Sequence, residues 1–106
     1  MTTILLVENE PDLAAAEQGA LEGYGYRVHS VRSAEAAVDL LRRGAEDFNL
    51  VLLDIDPEKG IGDPEAARRI LSAKDLPLVF LTSGASADSL ERMRGIPRYE
   101  IGRAHV

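Results

Sequence analysis

Acidic, amide and hydroxyl side chains follow apolar runs of the chain, at the points where those runs end. Glu8 and Asn9 come directly after "TILLV", Asp54 ends "LVLLD", and Thr82 follows "LVFL". If the runs are parallel strands, these side chains meet at one edge of a sheet, because neighbouring strands lie about 5 Å apart. Two carboxylates this close repel each other unless a cation or a proton intervenes, and Mg²⁺ prefers oxygen ligands. The pattern therefore predicts a metal site suited to phosphoryl chemistry.

The elements that must position these side chains alternate regularly along the chain. Continuous apolar runs predict buried parallel strands, and an alternating run predicts a strand nearer the sheet edge. The predicted strands are Thr3–Val7, Tyr26–Val31 (the alternating one), Leu50–Asp54 and Leu78–Leu81. Helical spacing of apolar residues, together with capping and stop signals, predicts the helices between them. The first helix spans about residues 11–22, and the second runs from its N-cap, Ser33, to its stop at Gly44. The third begins with Asp63 and Pro64, and the fourth begins near Ser86.

Strand and helix units repeated in this way predict an α/β fold, a doubly wound parallel sheet with helices on both faces. In the first helix we expect Leu13, Ala16, Ala20 and Leu21 to form the apolar face. In such sheets ligands bind outside the carboxyl ends of the strands, where the strand order reverses. The predicted metal site lies at that edge.

Composition sets limits on the function. The chain has 106 residues, enough for one domain, and it has no cysteine, which excludes disulfides and Cys-ligated metals. Lys and Arg number 12 against 18 Asp and Glu, a net charge of −6. The basic residues are scattered or doubled without forming a stripe, so we expect no direct nucleic-acid binding. With no membrane span and no secretion signal at the N-terminus, we expect a cytoplasmic protein that does not bind membranes.

The ordered segments "ILLVENEPDL", "LVLLDIDPEKGIGDPEAARRIL" and "LPLVFLTSG" resemble the receiver domain of two-component response regulators (CheY-like). The resemblance covers about residues 3–99 and has the usual spacing between its motifs. It implies a flavodoxin-like sheet with strand order 2-1-3-4-5. It also implies a signalling domain in a phosphorelay, not an enzyme, since a receiver catalyses only its own phosphorylation and dephosphorylation.

The resemblance assigns roles to individual residues. Asp54 would be the phosphoacceptor, taking a phosphoryl group from a sensor histidine kinase or a histidine phosphotransfer protein. Glu8 and Asn9 occupy the acidic-pair positions and would bind Mg²⁺ together with Asp54 and the backbone carbonyl of Asp56. Thr82 would hydrogen-bond the phosphoryl group and switch a docking surface.

Surface residues of the first helix would select the cognate kinase. We expect Ala14, Glu17 and Gln18 to be among them. His29 and His105 have no metal-ligand spacing to other residues, so we interpret both as solvated.

The sequence departs from the receiver pattern at Asn9, where receivers usually have an aspartate. Loss of that charge predicts weaker Mg²⁺ binding. It also lacks, after Lys74, the lysine that follows the fifth strand of receivers, and Ile101 falls near the place of the aromatic switch residue. We therefore expect the last strand and the last helix to be missing or incomplete, leaving the outer edge of the fourth strand unpaired.

The final segment gives a reason for this departure. "EIGRAHV", residues 100–106, is the translation of the sequencing-library adapter AGATCGGAAGAGCACACGTC preceded by one guanine, and the next adapter bases encode a stop. We therefore interpret residues 1–99 as an incomplete receiver domain and residues 100–106 as a non-native tail.

Three alternatives remain open. A pseudo-receiver that binds partners without phosphorylation is favoured by Asn9 and the missing lysine. A Toprim-like nucleic-acid metalloenzyme also places Glu after its first strand, but it expects glycine where Asn9 stands. A haloacid-dehalogenase-like (HAD-like) phosphatase begins its Asp-x-Asp after the first strand, whereas Asp54 follows a later one and Pro57 replaces the usual small residue.

Overall fold

The computed structural model describes residues 2–44, 46–55, 64–82 and 99–103, and for residues 54–55, 64, 80–82 and 99–103 it describes the backbone alone. The elements in chain order are β1 (Thr3–Val7), α1 (Pro11–Gly23), β2 (Arg27–Val31), α2 (Ala34–Arg43), β3 (Leu50–Ile55), α3 (Pro64–Ala73), β4 (Leu78–Thr82) and β5 (Tyr99–Arg103). The predicted strands and the first three predicted helices are confirmed to within a residue or two. Asp63 and the helix predicted near Ser86 lie outside the described residues.

The strands form one parallel sheet in the order β2-β1-β3-β4-β5. This confirms the predicted fold class and strand order, with β2 at the edge as its alternating pattern indicated. One prediction is wrong: the outer edge of β4 is paired, because β5 lies parallel to it from Leu78 opposite Tyr99 to Thr82 opposite Arg103. No helix follows β5 within the described part of the chain.

The core has a layer on each face of the sheet, as the period-two alternation of strand side chains requires. Leu5, Val7 and Leu53 pack with α2 and α3 residues on one face. Ile4 and Leu6 belong to a second cluster on the other face, where Leu21 of α1 packs. The sheet is therefore covered on both sides. None of the described helices is long and apolar enough to cross a lipid bilayer.

Helix α1 buries a face that overlaps the predicted one only in part: Leu21 packs against the core as predicted, but the two predicted alanines do not. Ala14 and Glu17 are buried, at 7% and 2% exposure, whereas Ala16 and Ala20 are exposed. The prediction that Ala14 and Glu17 are surface residues available to a kinase is therefore wrong. Apolar periodicity misassigned the face because one of the residues that points inward is a carboxylic acid.

Helix α2 has the ends that its sequence predicts. The Ser33 hydroxyl accepts a hydrogen bond from the backbone N–H of Ala36 at 3.1 Å, and Gly44 has a φ of 64°. A serine cap satisfies an N–H that the helix leaves free, and glycine adopts the left-handed conformation without a Cβ clash. These two residues fix the length of α2 between β2 and β3.

Candidate phosphoacceptor and metal site

The register of β1 and β3 brings two predicted site residues to the same level. Val7 lies opposite Leu53, so the residues that follow them, Glu8 and Asp54, come next at the carboxyl edge of the sheet. Adjacent parallel strands are separated by about 5 Å, so these two backbone positions are neighbours. The structure thus places the acidic residue after β1 beside the proposed phosphoacceptor position in β3.

Hydrogen bonds beyond the strands hold β1 in register with both of its neighbours, with the segment before β3 at one end and with β2 at the other. At the amino edge, the backbone N–H of Thr3 donates to Asn49 Oδ1 and the N–H of Asn49 donates to the carbonyl of Thr3, each at 2.8 Å. At the carboxyl edge, the N–H of Glu8 donates to the carbonyl of Val31 at 2.9 Å. A slip of one residue would break these bonds and turn every β1 side chain to the opposite face.

Thr82 lies one residue farther along the same edge. Asp54 pairs with Leu81 of β4, and Ile55 pairs with Thr82. The backbone positions of Asp54 and Thr82 are therefore on adjacent strands and offset by one residue. Asp56 lies outside the described residues.

The side chain of Glu8 is held in place. Its carboxylate is buried, at 3% exposure, and Oε1 accepts a hydrogen bond from the backbone N–H of Glu10 at 2.9 Å. That bond fixes the turn between β1 and α1. Burying a carboxylate costs free energy unless positive charge or hydrogen bonds compensate its charge, so the buried side chain of Glu8 needs such compensation.

The side chain of Asn9 supplies a second oxygen at this edge. Its Oδ1 atom is buried, and no described residue donates a hydrogen bond to it. A buried carbonyl oxygen without a partner costs about 1–3 kcal/mol, so such atoms usually have a ligand or another functional role. A metal cation would satisfy this oxygen without needing a proton.

The donor set fits a hard divalent cation such as Mg²⁺. Glu8 offers a carboxylate and Asn9 an amide oxygen, both oxygen ligands of the kind that Mg²⁺ prefers. Within the described residues no group of three or more acidic or histidine side chains is arranged to hold a metal. The fit therefore rests on Glu8, Asn9 and the backbone position of Asp54.

His29 has partners that the sequence did not predict. Its Nε2 lies 2.5 Å from Glu46 Oε2, and its ring meets the ring of Phe48 edge-on with centroids 5.5 Å apart. Arg27 also reaches Glu46, at 3.6 Å. His29 is solvent-exposed as predicted, with 44% of its side chain accessible, but its contacts with Glu46 and Phe48 were not predicted. The cluster is built on β2, at the edge of the sheet.

Comparisons with known proteins agree with this geometry. The family profile described as "Response regulator receiver domain" matches residues 4–96. The chain is 34% identical over 83 residues to "Transcriptional regulatory protein AfsQ1" of Streptomyces coelicolor, an alignment that covers 78% of this chain and 36% of that regulator. The chain thus spans little more than a third of that relative's length.

Two solved structures show the same arrangement of strands and helices. The non-phosphorylated HemR receiver domain of Leptospira biflexa is similar with a TM-score of 0.77 and 32% identity, covering 100% of this chain and 84% of that one. Response regulator TrrA of Thermotoga maritima, solved in complex with Mg²⁺ and BeF, is similar with a TM-score of 0.75 and 27% identity, covering 99% of this chain and 88% of that one. The profile match spans most of the sequence, and the chain belongs to the response regulator receiver domain family of two-component systems.

Proposed function

We propose that this chain is the phosphoacceptor domain of a two-component phosphorelay, in which Asp54 accepts a phosphoryl group with the help of Mg²⁺ bound by Glu8, Asn9, Asp54 and the backbone carbonyl of Asp56. The proposal rests on two neighbouring oxygen groups beside the Asp54 position: the buried carboxylate of Glu8, and the buried Oδ1 of Asn9, to which no described residue donates a hydrogen bond. The Mg²⁺ complex of TrrA supports the choice of metal.

The transfer forms one bond and breaks another. A carboxylate oxygen of Asp54 attacks the phosphorus of a phosphohistidine on a sensor kinase or a histidine phosphotransfer protein. The new O–P bond forms as the N–P bond breaks, and the bonding electron pair returns to the imidazole, which takes up a proton. Bound Mg²⁺ would neutralise the phosphoryl oxygens during this attack.

The chain's own residues position the reaction. Glu8 is fixed by the N–H of Glu10, and its buried carboxylate supplies the negative charge that attracts the cation. Thr82, at the end of β4, would hydrogen-bond the phosphoryl group and couple phosphorylation to a docking surface. The chemistry is confined to the domain's own phosphorylation and dephosphorylation.

A pseudo-receiver that binds partners without phosphorylation is the second candidate. It is favoured by Asn9, which removes one negative charge from the site. The Toprim-like and HAD-like alternatives are set aside because the chain belongs to the receiver family.

The deciding experiment is incubation with Mg²⁺ and acetyl phosphate, followed by intact-mass spectrometry. We expect an acid-labile increase of one phosphoryl group that EDTA prevents and that Asp54→Asn abolishes. Asp47→Asn changes a fully exposed carboxylate that precedes the amino end of β3, at the opposite edge of the sheet, and should leave the increase unchanged. The measurement should be made on this chain and on the full-length protein recovered from its gene. No Asp54-dependent increase in either would favour the pseudo-receiver.

A further inference from the structure

A surface groove runs between α2 and α3 on the face of the fold away from α1. It has a volume of about 170 Å³ and is lined by Val38, Arg42, Glu65, Arg68, Arg69 and Ser72. The two helices pack together through the buried residues Val38, Leu41, Ala67 and Ile70, so the groove has rigid walls. Its lining residues come from both helices, and tertiary packing alone brings them together.

The groove concentrates positive charge on an otherwise acidic protein. Three guanidinium groups line it against one carboxylate, that of Glu65. The chain as a whole has a net charge of −6. Positive charges gathered in this way repel one another, so an anion that binds among them reduces this repulsion.

The existing partners of these arginines are weak. Arg68 lies 3.8 Å from Glu65 and Arg69 lies 3.9 Å from Glu35, near the upper limit for ion pairs, and all four side chains are about half exposed or more. Exposed pairs of this kind contribute about 0–1 kcal/mol. An incoming carboxylate could therefore replace them at little cost.

Arg42 differs from its neighbour Arg43 in the same last turn of α2. Arg43 pairs with Asp39 at 2.7 Å and does not line the groove. Arg42 lines the groove and forms no ion pair with any residue that the structure describes. Guanidinium groups bind carboxylates with two parallel hydrogen bonds, which makes Arg42 the best-placed anchor for an anionic group.

We propose that the groove lined by Arg42, Arg68 and Arg69 is a docking surface for an acidic segment of a partner polypeptide, whose Asp or Glu carboxylates pair with these arginines. The positive charge of the three arginines favours a partner that carries negative charge. A nucleic-acid backbone fits less well, because its continuous row of phosphates would extend from the short groove onto the acidic surface around it. The proposal does not depend on phosphorylation of Asp54.

The test uses a fluorescein-labelled oligoglutamate peptide titrated with the protein at low salt, with fluorescence anisotropy as the readout. We expect binding that weakens as salt is added. The double variant Arg42→Gln with Arg69→Gln should lose at least about tenfold in affinity. The control with the same change in net charge, Arg32→Gln with Arg43→Gln, alters exposed arginines outside the groove and should bind as the wild type does.

Several outcomes would overturn the proposal. Equal loss in the two double variants would mean that only net charge matters. Tighter binding of a duplex DNA oligonucleotide than of the peptide would make the surface a nucleic-acid site instead. Amide chemical shifts of the wild-type protein provide a readout that needs no variant: peptide-induced changes should cluster on α2 and α3, and changes confined to other elements, or no binding, would contradict it.

Discussion

The buried carboxylate of Glu8 accepts a hydrogen bond from the backbone N–H of Glu10 at 2.9 Å, and this bond closes the turn that leads from β1 into α1. The same turn carries Asn9, whose Oδ1 is buried without a described donor. One short segment thus presents two buried side-chain oxygen groups at the carboxyl edge of the sheet.

Replacing Glu8 by glutamine should weaken Mg²⁺ binding. The amide keeps an oxygen that can accept from the Glu10 N–H, so we expect the fold to persist, but the negative charge is lost. Mg²⁺ affinity should fall by about tenfold or more, equivalent to about 1.4 kcal/mol. Isothermal titration calorimetry measures this directly. Glu10→Gln, an exposed carboxylate two residues away, serves as the control, and an equal loss there would argue for a diffuse surface effect.

Replacing Asn9 by aspartate should strengthen Mg²⁺ binding by about tenfold, because a second negative charge joins that of Glu8. In EDTA the same substitution should lower the free energy of unfolding by about 1 kcal/mol, since two nearby carboxylates then repel each other without a cation. Urea unfolding with and without Mg²⁺ separates the two effects. An unchanged Mg²⁺ affinity would contradict the assignment of Asn9 as a ligand.

Two glycine-to-alanine substitutions should have opposite effects on stability. A Cβ built at either Gly19 or Gly44 meets no atom within 4 Å, so backbone conformation alone decides the outcome. Gly19 lies inside α1, where alanine should stabilise by about 0.5–1 kcal/mol. Gly44 has a φ of 64°, where alanine should cost about 1–2 kcal/mol. Urea midpoints that shift in the same direction would contradict this account.

Removing the cap of α2 should destabilise the fold. Ser33→Ala removes the acceptor for the Ala36 N–H and should cost about 1 kcal/mol of unfolding free energy. Ser33→Asp keeps an acceptor and should retain most of the stability. Ser72→Ala, at an exposed position in the last turn of α3, should be neutral or slightly stabilising, and chemical denaturation compares the three variants.

The segment that forms β5 yields a prediction about the gene. We propose that residues 100–106 are not native, although Glu100–Arg103 pair with β4. Sequencing the source DNA across this point should show a reading frame that continues differently after the Tyr99 codon and encodes a lysine after the fifth strand. A nucleotide record that encodes "EIGRAHV" in uninterrupted genomic sequence would refute it. The protein with its native ending should unfold at higher urea concentration than this chain.

Much of the fold could be predicted because local patterns report it directly. The apolar runs fixed the strands within a residue or two, and Ser33 and Gly44 marked the ends of α2 through their capping chemistry. The candidate site residues could be proposed because polar side chains at strand ends must meet at one edge of a parallel sheet. The strand order was predicted from the family resemblance, because no local pattern in the sequence indicates which strands lie side by side.

Other features depend on contacts between distant segments. His29 reads as an ordinary edge-strand residue until the loop before β3 brings Glu46 and Phe48 to it. Glu17 reads as exposed, yet α1 turns it inward. The pairing of β5 with β4 was also not predicted. The free N–H and C=O groups of an edge strand can pair with another strand whatever its side chains are.

Period, capping and strand-end chemistry are local properties, so the sequence was enough to predict the elements and the parallel α/β class. Together with the receiver resemblance it also indicated Glu8, Asn9, Asp54 and Thr82 as candidate site residues. The folded chain was needed to see that Asn9 Oδ1 is buried with no donor among the described residues, and that Arg42 lines a groove while Arg43 pairs with Asp39. The burial of a side chain and the charges around it depend on which helices and strands pack together. For that reason two adjacent residues of one sequence can have opposite environments.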